Sequence, residues 1–209
     1  MTATDPKRAA KAIDALRRGW PVAVKGKQAT IGLVAIETAD TVQEAHGILL
    51  SAARAATLKL ANQFAAANVA RPVLISAPAD LDASLALAIA DPALDLRYPM
   101  KGPFAAQALP DAEAAQAAME LAREAGLLPA FLVVDAGQAD AIASVADIAA
   151  FQDAGALRIA ARAKLPVAAS ANAELVAFRS TADAADHVAL VIGQRDGSVP
   201  VVRLHSECL

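Results

Sequence analysis

The stretch from Ala112 to Asp135, AEAAQAAMELAREAGLLPAFLVVD, constrains the fold more than any other. Ala114, Ala118, Leu121 and Ala125 recur at the three-and-four spacing that puts them on one helix face, with Glu113, Gln116, Glu120 and Arg123 opposite. Gly126 follows the last periodic residue, where a left-handed C-cap costs little, and Pro129 stops the helix from resuming. Ala130 to Val134 is then an unbroken apolar run, comfortable only inside a sheet. A helix, a sharp stop and a buried strand in succession place the chain in the α/β (α+β) class. They say nothing about chemistry.

Around this unit the other elements read in order. Asp5 and Pro6 are an N-cap and a first-turn proline for a helix whose buried stripe is Ala9, Ile13 and Leu16 and which Gly19 ends. Val22 to Val24 and Ile31 to Ile36 read as hairpin arms around the basic turn Lys25 to Gln28. Thr41 and Glu44 have capping-box spacing and predict the longest helix, 42–67, with a bend at Gly47. Val73 to Ser76 is a strand between prolines, and Asp80 caps a helix running to Ala90. Asp91 to Pro110 loses the pattern and reads as a long surface loop, of the kind that is more often functional or mobile than idle.

Ser144 and Asp147 predict another capped helix, and a second helical piece follows Gly155 to about Lys164. Val167 to Ala169 reads as a strand, and Asn172 as the opening of a short helix that ends near Arg179. STADAAD, Ser180 to Asp186, is linker-like; HVALVIG, the polar turn QRDGS and VPVVRLHSECL then read as a fresh hairpin. The expected division is a domain over 1–180, followed by a linker and the first strands of an incomplete domain over 181–209.

Composition removes several function classes. Hydrophobic residues make up 56% of the 209 positions and charged residues 20%, which argues for a large core and against disorder. Aromatics at 3% leave little material for a base-stacking platform, and 19 basic against 22 acidic residues make nucleic acid an unsuitable partner. A single cysteine excludes an internal disulfide framework and fits a reducing cytoplasm. No run approaches the roughly 18 apolar residues of a membrane span, and the N-terminus lacks a signal-peptide core.

Few side chains suggest chemistry. The scattered glycines form no phosphate loop, and three histidines with one cysteine make no zinc site of standard spacing. His46 falls in the predicted long helix as a surface or half-buried residue, and His187 begins a strand, where a structural role is as good a reading as a functional one. Asp135 ends a buried strand, a favoured place for an active-site carboxylate, so it is the catalytic candidate; a strand-end acid bonded to a neighbouring turn is the competing account. The last seven residues, RLHSECL, set a cation, an imidazole, a hydroxyl, a carboxylate and a thiol in a row. Such density either serves chemistry or belongs to a solvated tail.

VPVVRLHSECL resembles the opening of the GTP cyclohydrolase II domain, whose early strand carries an R-V-H-S-E-C-L-T-G-D signature. The resemblance implies that Arg203, Leu204, His205, Ser206 and Glu207 belong to the GTP-contacting segment and that Cys208 is the first of three zinc ligands. The other two ligands of that family lie in a downstream C-D-C element that these residues do not include, so neither site is complete. The preceding part resembles the 3,4-dihydroxy-2-butanone-4-phosphate synthase domain found before the cyclohydrolase in bifunctional riboflavin-biosynthesis proteins. AIDALRRGWPVAV, AAMELAREAGLLPAFLVVD and LPVAASANAELVAFR carry that likeness in order. It implies a single three-layer-like domain of mixed sheet with flanking helices.

The departures from the synthase pattern are as informative. That family uses an acidic D-D-E-D-R-E-N-E-G-D loop after its first strand to hold magnesium and move protons; here the place reads KGKQATIG, Lys25 to Gly32. The family's G-G-H-T-E falls on Glu113 to Gln116, so its histidine is Ala114 and its glutamate Gln116. Of the signature acids only Asp135 has a counterpart. The resemblance therefore implies a catalytically silent synthase-like scaffold that lacks its magnesium site and joins two cyclohydrolase domains as a homodimer. No cofactor is expected in the isolated chain, and zinc and GTP are expected only in a complete parent protein. Ending within a strand motif, the sequence is expected to be a cut or a truncated form. Two alternatives stay open: a stand-alone module binding a phosphate metabolite through Lys25, Lys27, Arg97 and Lys101, or residual synthase activity.

Overall fold

The computed structural model describes residues 4–153, 157–168, 170–180, 186–193 and 197–204. The chain divides into two compact units, Met1–Asp153 and Ala154–Leu209. The boundary expected after residue 180 falls inside the second.

In the first unit, helix α1 (Pro6–Arg17) leads into the antiparallel hairpin β1 (Val22–Lys25) and β2 (Thr30–Ala35). Strand β3 (Gly47–Leu50), helix α2 (Ala52–Thr57) and two single 3₁₀ turns follow. Then come β4 (Val73–Ser76), α3 (Ala83–Ala90), the two-residue β5 (Ala106–Gln107), α4 (Ala112–Ala125), β6 (Ala130–Val134), β7 (Ala141–Ser144) and α5 (Val145–Phe151). The strands form one sheet in the order β5-β4-β3-β6-β2-β1-β7, antiparallel except where β7 lies parallel to β1.

Alternation along these strands makes three layers. Val22, Val24, Leu33, Leu49, Phe131 and Val133 face a core completed by α1, α4 and α5. Val34, Ile48, Leu50, Ile75, Leu132 and Val134 face a second core completed by α2 and α3. Because neighbouring residues point to opposite faces, the continuous apolar run of β6 feeds both cores, which is why it carries no polar position. The α/β (α+β) expectation, with a mixed sheet flanked by helices, holds.

The predicted anchor is present in detail. Asp111 caps α4, and Gly126 closes it at φ 72°, the left-handed conformation that glycine adopts without strain. Asp5 caps α1 ahead of Pro6, and Ser144 with Asp147 forms a reciprocal capping box on α5.

The predicted helix over 42–67 is corrected. Thr41 accepts from the N–H of Gln43 in a local turn, and Gly47 to Leu50 forms a fully buried strand between β4 and β6. The physical reason is the run Gly47-Ile48-Leu49-Leu50: a glycine whose Cβ would come within 2.9 Å of the Leu74 side chain, then apolar side chains that two opposite cores take alternately. Ser51 rather than Thr41 caps the helix that does form. His46 accordingly lies exposed before β3, not in a helix. Asp82, not Asp80, caps α3. The segment 91–110 is mostly irregular, as expected, with one 3₁₀ turn at Pro92–Leu94 and β5 added.

The second unit is a three-stranded antiparallel sheet, β8 (Leu157–Lys164), β9 (Ala173–Ser180) and β10 (Asp186–Ile192), in the order β10-β9-β8. The helices predicted to about Lys164 and from Asn172 are therefore corrected to strands. Arg158, Arg162 and Lys164 suit an exposed strand as well as a helix, and pairing along both edges of β9 overrides the helix preference of its alanines. Val167 makes an isolated bridge to Ser170 in place of a strand. β10 confirms the strand expected from His187, whose side chain is exposed. Val199 to Leu204, the described part of the predicted second hairpin arm, is exposed and takes no strand conformation. Among the described residues no helix is long and apolar enough to cross a membrane.

Candidate functional site at the hairpin turn

Three sequence-predicted positions meet at one end of the first unit's sheet: the β1–β2 turn, the N-terminus of α4 and the C-terminal end of β6. Gly32 of β2 pairs with Val134 of β6, and a Cβ on Gly32 would lie 2.6 Å from the backbone nitrogen of Ala136, so the turn following β6 presses directly on β2. Asp135 lies within that turn.

The residue that organises this end is Asp111, which the sequence reading does not single out although its place immediately before the α4 pattern is an N-cap signal. It is only 2% exposed. One carboxylate oxygen accepts from the N–H of Ala114 at 2.9 Å, and the other from those of Gln28 at 2.7 Å and Ala29 at 3.3 Å. The Ala114 and Gln28 N–H groups hold its carboxyl below the ordinary carboxylate range, against the opposing effect of burial. Gly26 is required beside it, since a Cβ there would sit 2.1 Å from the Asp111 carboxylate. The turn is thus bolted to α4 by a buried acid that has no oxygen left over.

Other charged groups there also have partners. Lys27 pairs with Glu113 at 3.0 Å across the same junction. Asp135 accepts from the N–H of Gly137 at 2.9 Å, capping its own turn, which is the structural account weighed against a catalytic one. Lys25 is exposed on the turn. Ala114 is buried inside α4, whereas Gln116 is exposed and bonds Glu120. A divalent cation needs several free oxygen donors. The donor set here does not fit: one carboxylate is occupied by N–H groups, one is paired with a lysine and one is turned into a cap. Among the described residues no three His, Cys, Asp or Glu side chains gather in a group that could hold a metal ion.

The other candidate cations lie elsewhere. Arg97 is exposed and stacks over Tyr98. Lys101 is nearly buried and pairs with Asp95, which also takes a two-pronged bond from the buried Arg54 at 2.7 and 2.8 Å. The Arg54 and Lys101 hydrogen bonds hold the Asp95 carboxyl far below its usual range. Arg54 and Lys101 also donate to carbonyls at the C-terminal end of α3, Arg54 to Ala88, Ile89 and Asp91 and Lys101 to Ala88, so this cluster fastens the 91–104 segment to that helix.

In the second unit, Arg203 and Leu204 are exposed. The candidate positions His205, Ser206, Glu207 and Cys208 lie outside the described residues.

Comparison with known proteins separates the two units. The family profile described as GTP cyclohydrolase II matches residues 158–209, the second unit almost entirely, including RLHSECL. A protein named GTP cyclohydrolase-2, from Azospirillum brasilense, is 31% identical over 225 aligned residues that take in 95% of this chain. The alignment takes in 57% of that relative's length, so the chain spans little more than half of it. The likeness runs through both units, and the chain belongs to the GTP cyclohydrolase II family.

Proposed function

We propose that the chain is part of a GTP cyclohydrolase II-type protein in which the first unit is a catalytically silent, synthase-like scaffold. The carrying observation is the state of the hairpin-turn end. The resemblance to 3,4-dihydroxy-2-butanone-4-phosphate synthase would require acids on the turn, a histidine and a glutamate on the helix, and an acid after β6. The turn, the start of α4 and the end of β6 do come together, which supports the likeness in architecture. Their side chains are a basic turn, Ala114, Gln116, and three acids already committed to backbone N–H groups or a lysine.

Abstraction of a proton beside a carbonyl needs a free base and an electrophile on the oxygens. At that end Asp135 keeps one carboxylate oxygen outside its own turn, and neither the family's histidine nor its glutamate stands on α4 to complete the pair. The chemistry there has been replaced by a fastening between turn and helix.

In this reading the second unit opens a cyclohydrolase domain. Arg203, Leu204, His205, Ser206 and Glu207 contribute to GTP contact, and Cys208 supplies one zinc ligand when the remaining ligands of a complete site are present. The parent reaction is zinc-dependent hydrolytic opening of the GTP imidazole ring with release of formate and pyrophosphate. The scaffold acts as a cytoplasmic homodimer that holds two such domains together.

The test is to incubate the purified 209-residue chain with ribulose 5-phosphate and magnesium and to assay formate. A folded dimer without formate release is the expected result. Magnesium-dependent formate production would overturn the silent reading, and a strict monomer at high concentration would remove the scaffold role.

A further inference from the structure

Away from the hairpin turn, an open cleft of about 500 Å³ lies between the segment after α2 and the 95–104 segment, well within the size range of small-ligand sites. Lys59 and Asn62 line one side, Asp95 and Lys101 the other, and Leu58 and Phe104 give it apolar surface. Two features of this cleft are unexplained by packing.

The first is charge. Lys59, Lys101 and Asp95 line the cleft and Arg54 pairs with Asp95 from outside the lining, so three cations stand with one lining carboxylate in a chain whose formal net charge is -3. Both Asp95 oxygens are taken by Arg54 and Lys101, and Lys59 has no ion pair among the described residues. The α3 carbonyls that Arg54 and Lys101 also bond offset about half a charge at most. Between one and two positive charges remain uncompensated at the cleft. Lys101 also has three N–H donors, of which Ala88 and Asp95 take two.

The second is backbone conformation. Lys59 stands at φ 58°, ψ 37°, the left-handed region that follows a helix end. It is the one non-glycine with positive φ among the described residues. Glycine or asparagine suits that position, and a lysine there costs about 1 kcal/mol more than glycine. An unfavourable residue that carries its cation to the rim of a positive cleft points to a ligand rather than to folding.

We propose that this cleft binds a small phosphate monoester, with Lys59 and Lys101 meeting the phosphate and the Leu58–Phe104 surface meeting its organic body. A phosphate monoester carries about -1.5 to -2 charges at neutral pH, which matches the surplus better than a carboxylate does. This site is separate from the hairpin-turn end, and of the four cations considered for a phosphate module it retains Lys101 alone. The inference does not depend on the silent-scaffold reading, which the formate assay tests separately.

Calorimetric titration of the 209-residue chain with ribose 5-phosphate, guanosine 5′-monophosphate and inorganic sulfate tests it. Saturable binding of at least one phosphate ester, stronger than that of sulfate, is expected, and preference between the two esters identifies a sugar phosphate or a nucleotide as the source. Lys59→Asn keeps a residue suited to the left-handed backbone while removing the charge. It should weaken ester binding about tenfold, the loss of one charge-assisted contact, with an unchanged or raised melting temperature. Lys25→Asn, on the hairpin turn, should leave binding unchanged. No saturable ester binding, equal affinity for sulfate, or a Lys59→Asn variant that binds normally would each overturn the proposal.

Discussion

Replacing Asp111 by alanine probes whether the hairpin turn and α4 are held as one piece. The side chain satisfies the N–H of Ala114 as an N-cap and, in addition, the N–H groups of Gln28 and Ala29 from a turn more than eighty residues away in sequence. Loss of an N-cap costs about 1 kcal/mol. Leaving a buried N–H without a partner costs about 1 to 3 kcal/mol, and the Gln28 bond at 2.7 Å is the stronger of the two. Water can reach this turn from its exposed side, so the lower end applies to each, and the whole effect comes to about 3 kcal/mol. Asp82→Ala is the internal comparison, because Asp82 is an exposed N-cap whose carboxylate accepts from the N–H of Leu85 at 2.7 Å, and its loss should cost about 1 kcal/mol. Urea unfolding followed by circular dichroism measures both. Equal losses would refute the reasoning, since they would mean that the bonds from the turn contribute nothing. The sign of the pH dependence is also fixed. The folded-state pKa of Asp111 is lowered, so its contribution is complete above the unfolded carboxylate value, near 4, and disappears as pH falls through the folded value. Asp111→Ala should therefore flatten the acid limb of the stability profile and leave its neutral region lower but parallel.

Three further substitutions address other parts of the first unit. Arg54→Lys keeps the charge but cannot reproduce the fork to Asp95 together with the bonds to the α3 carbonyls, and should destabilise the unit by about 3 kcal/mol, read as a shift in urea midpoint. Gly32→Ala places a Cβ 2.6 Å from both the Ala136 nitrogen and the Val134 carbonyl in the middle of the sheet; the variant should be recovered mainly as insoluble protein, and a soluble yield equal to the parent would contradict the close approach. Gly126→Ala meets no atom within 4 Å but forces a left-handed residue, so it should cost only about 1 kcal/mol in the same unfolding assay.

What was legible in the sequence was local. Helix α4, its glycine stop and β6 are written in a contiguous segment whose period, cap and breaker agree, and the same is true of α1 and of the capping box on α5. Local consistency of this kind needs no partner to be read. The absence of free acids at the hairpin turn is likewise a sequence fact, because Lys25 to Gly32 contains none. The tertiary structure decided the rest. Gly47 to Leu50 lies in a stretch whose alanine-rich remainder favours a helix, and only the neighbouring strands β4 and β6, with a core on either face, make it a strand. Residues 157–164 and 173–180 depend in the same way on their pairing, since their alanines and arginines fit a helix equally well. Asp111, Gly26 and the Arg54–Asp95–Lys101 cluster matter through partners separated by tens of residues, and hydrogen bonds of that reach leave no period or spacing in a single sequence. Propensity and capping act within a few residues, whereas strand pairing and buried charge are settled by which distant segments the fold brings within about 3 Å.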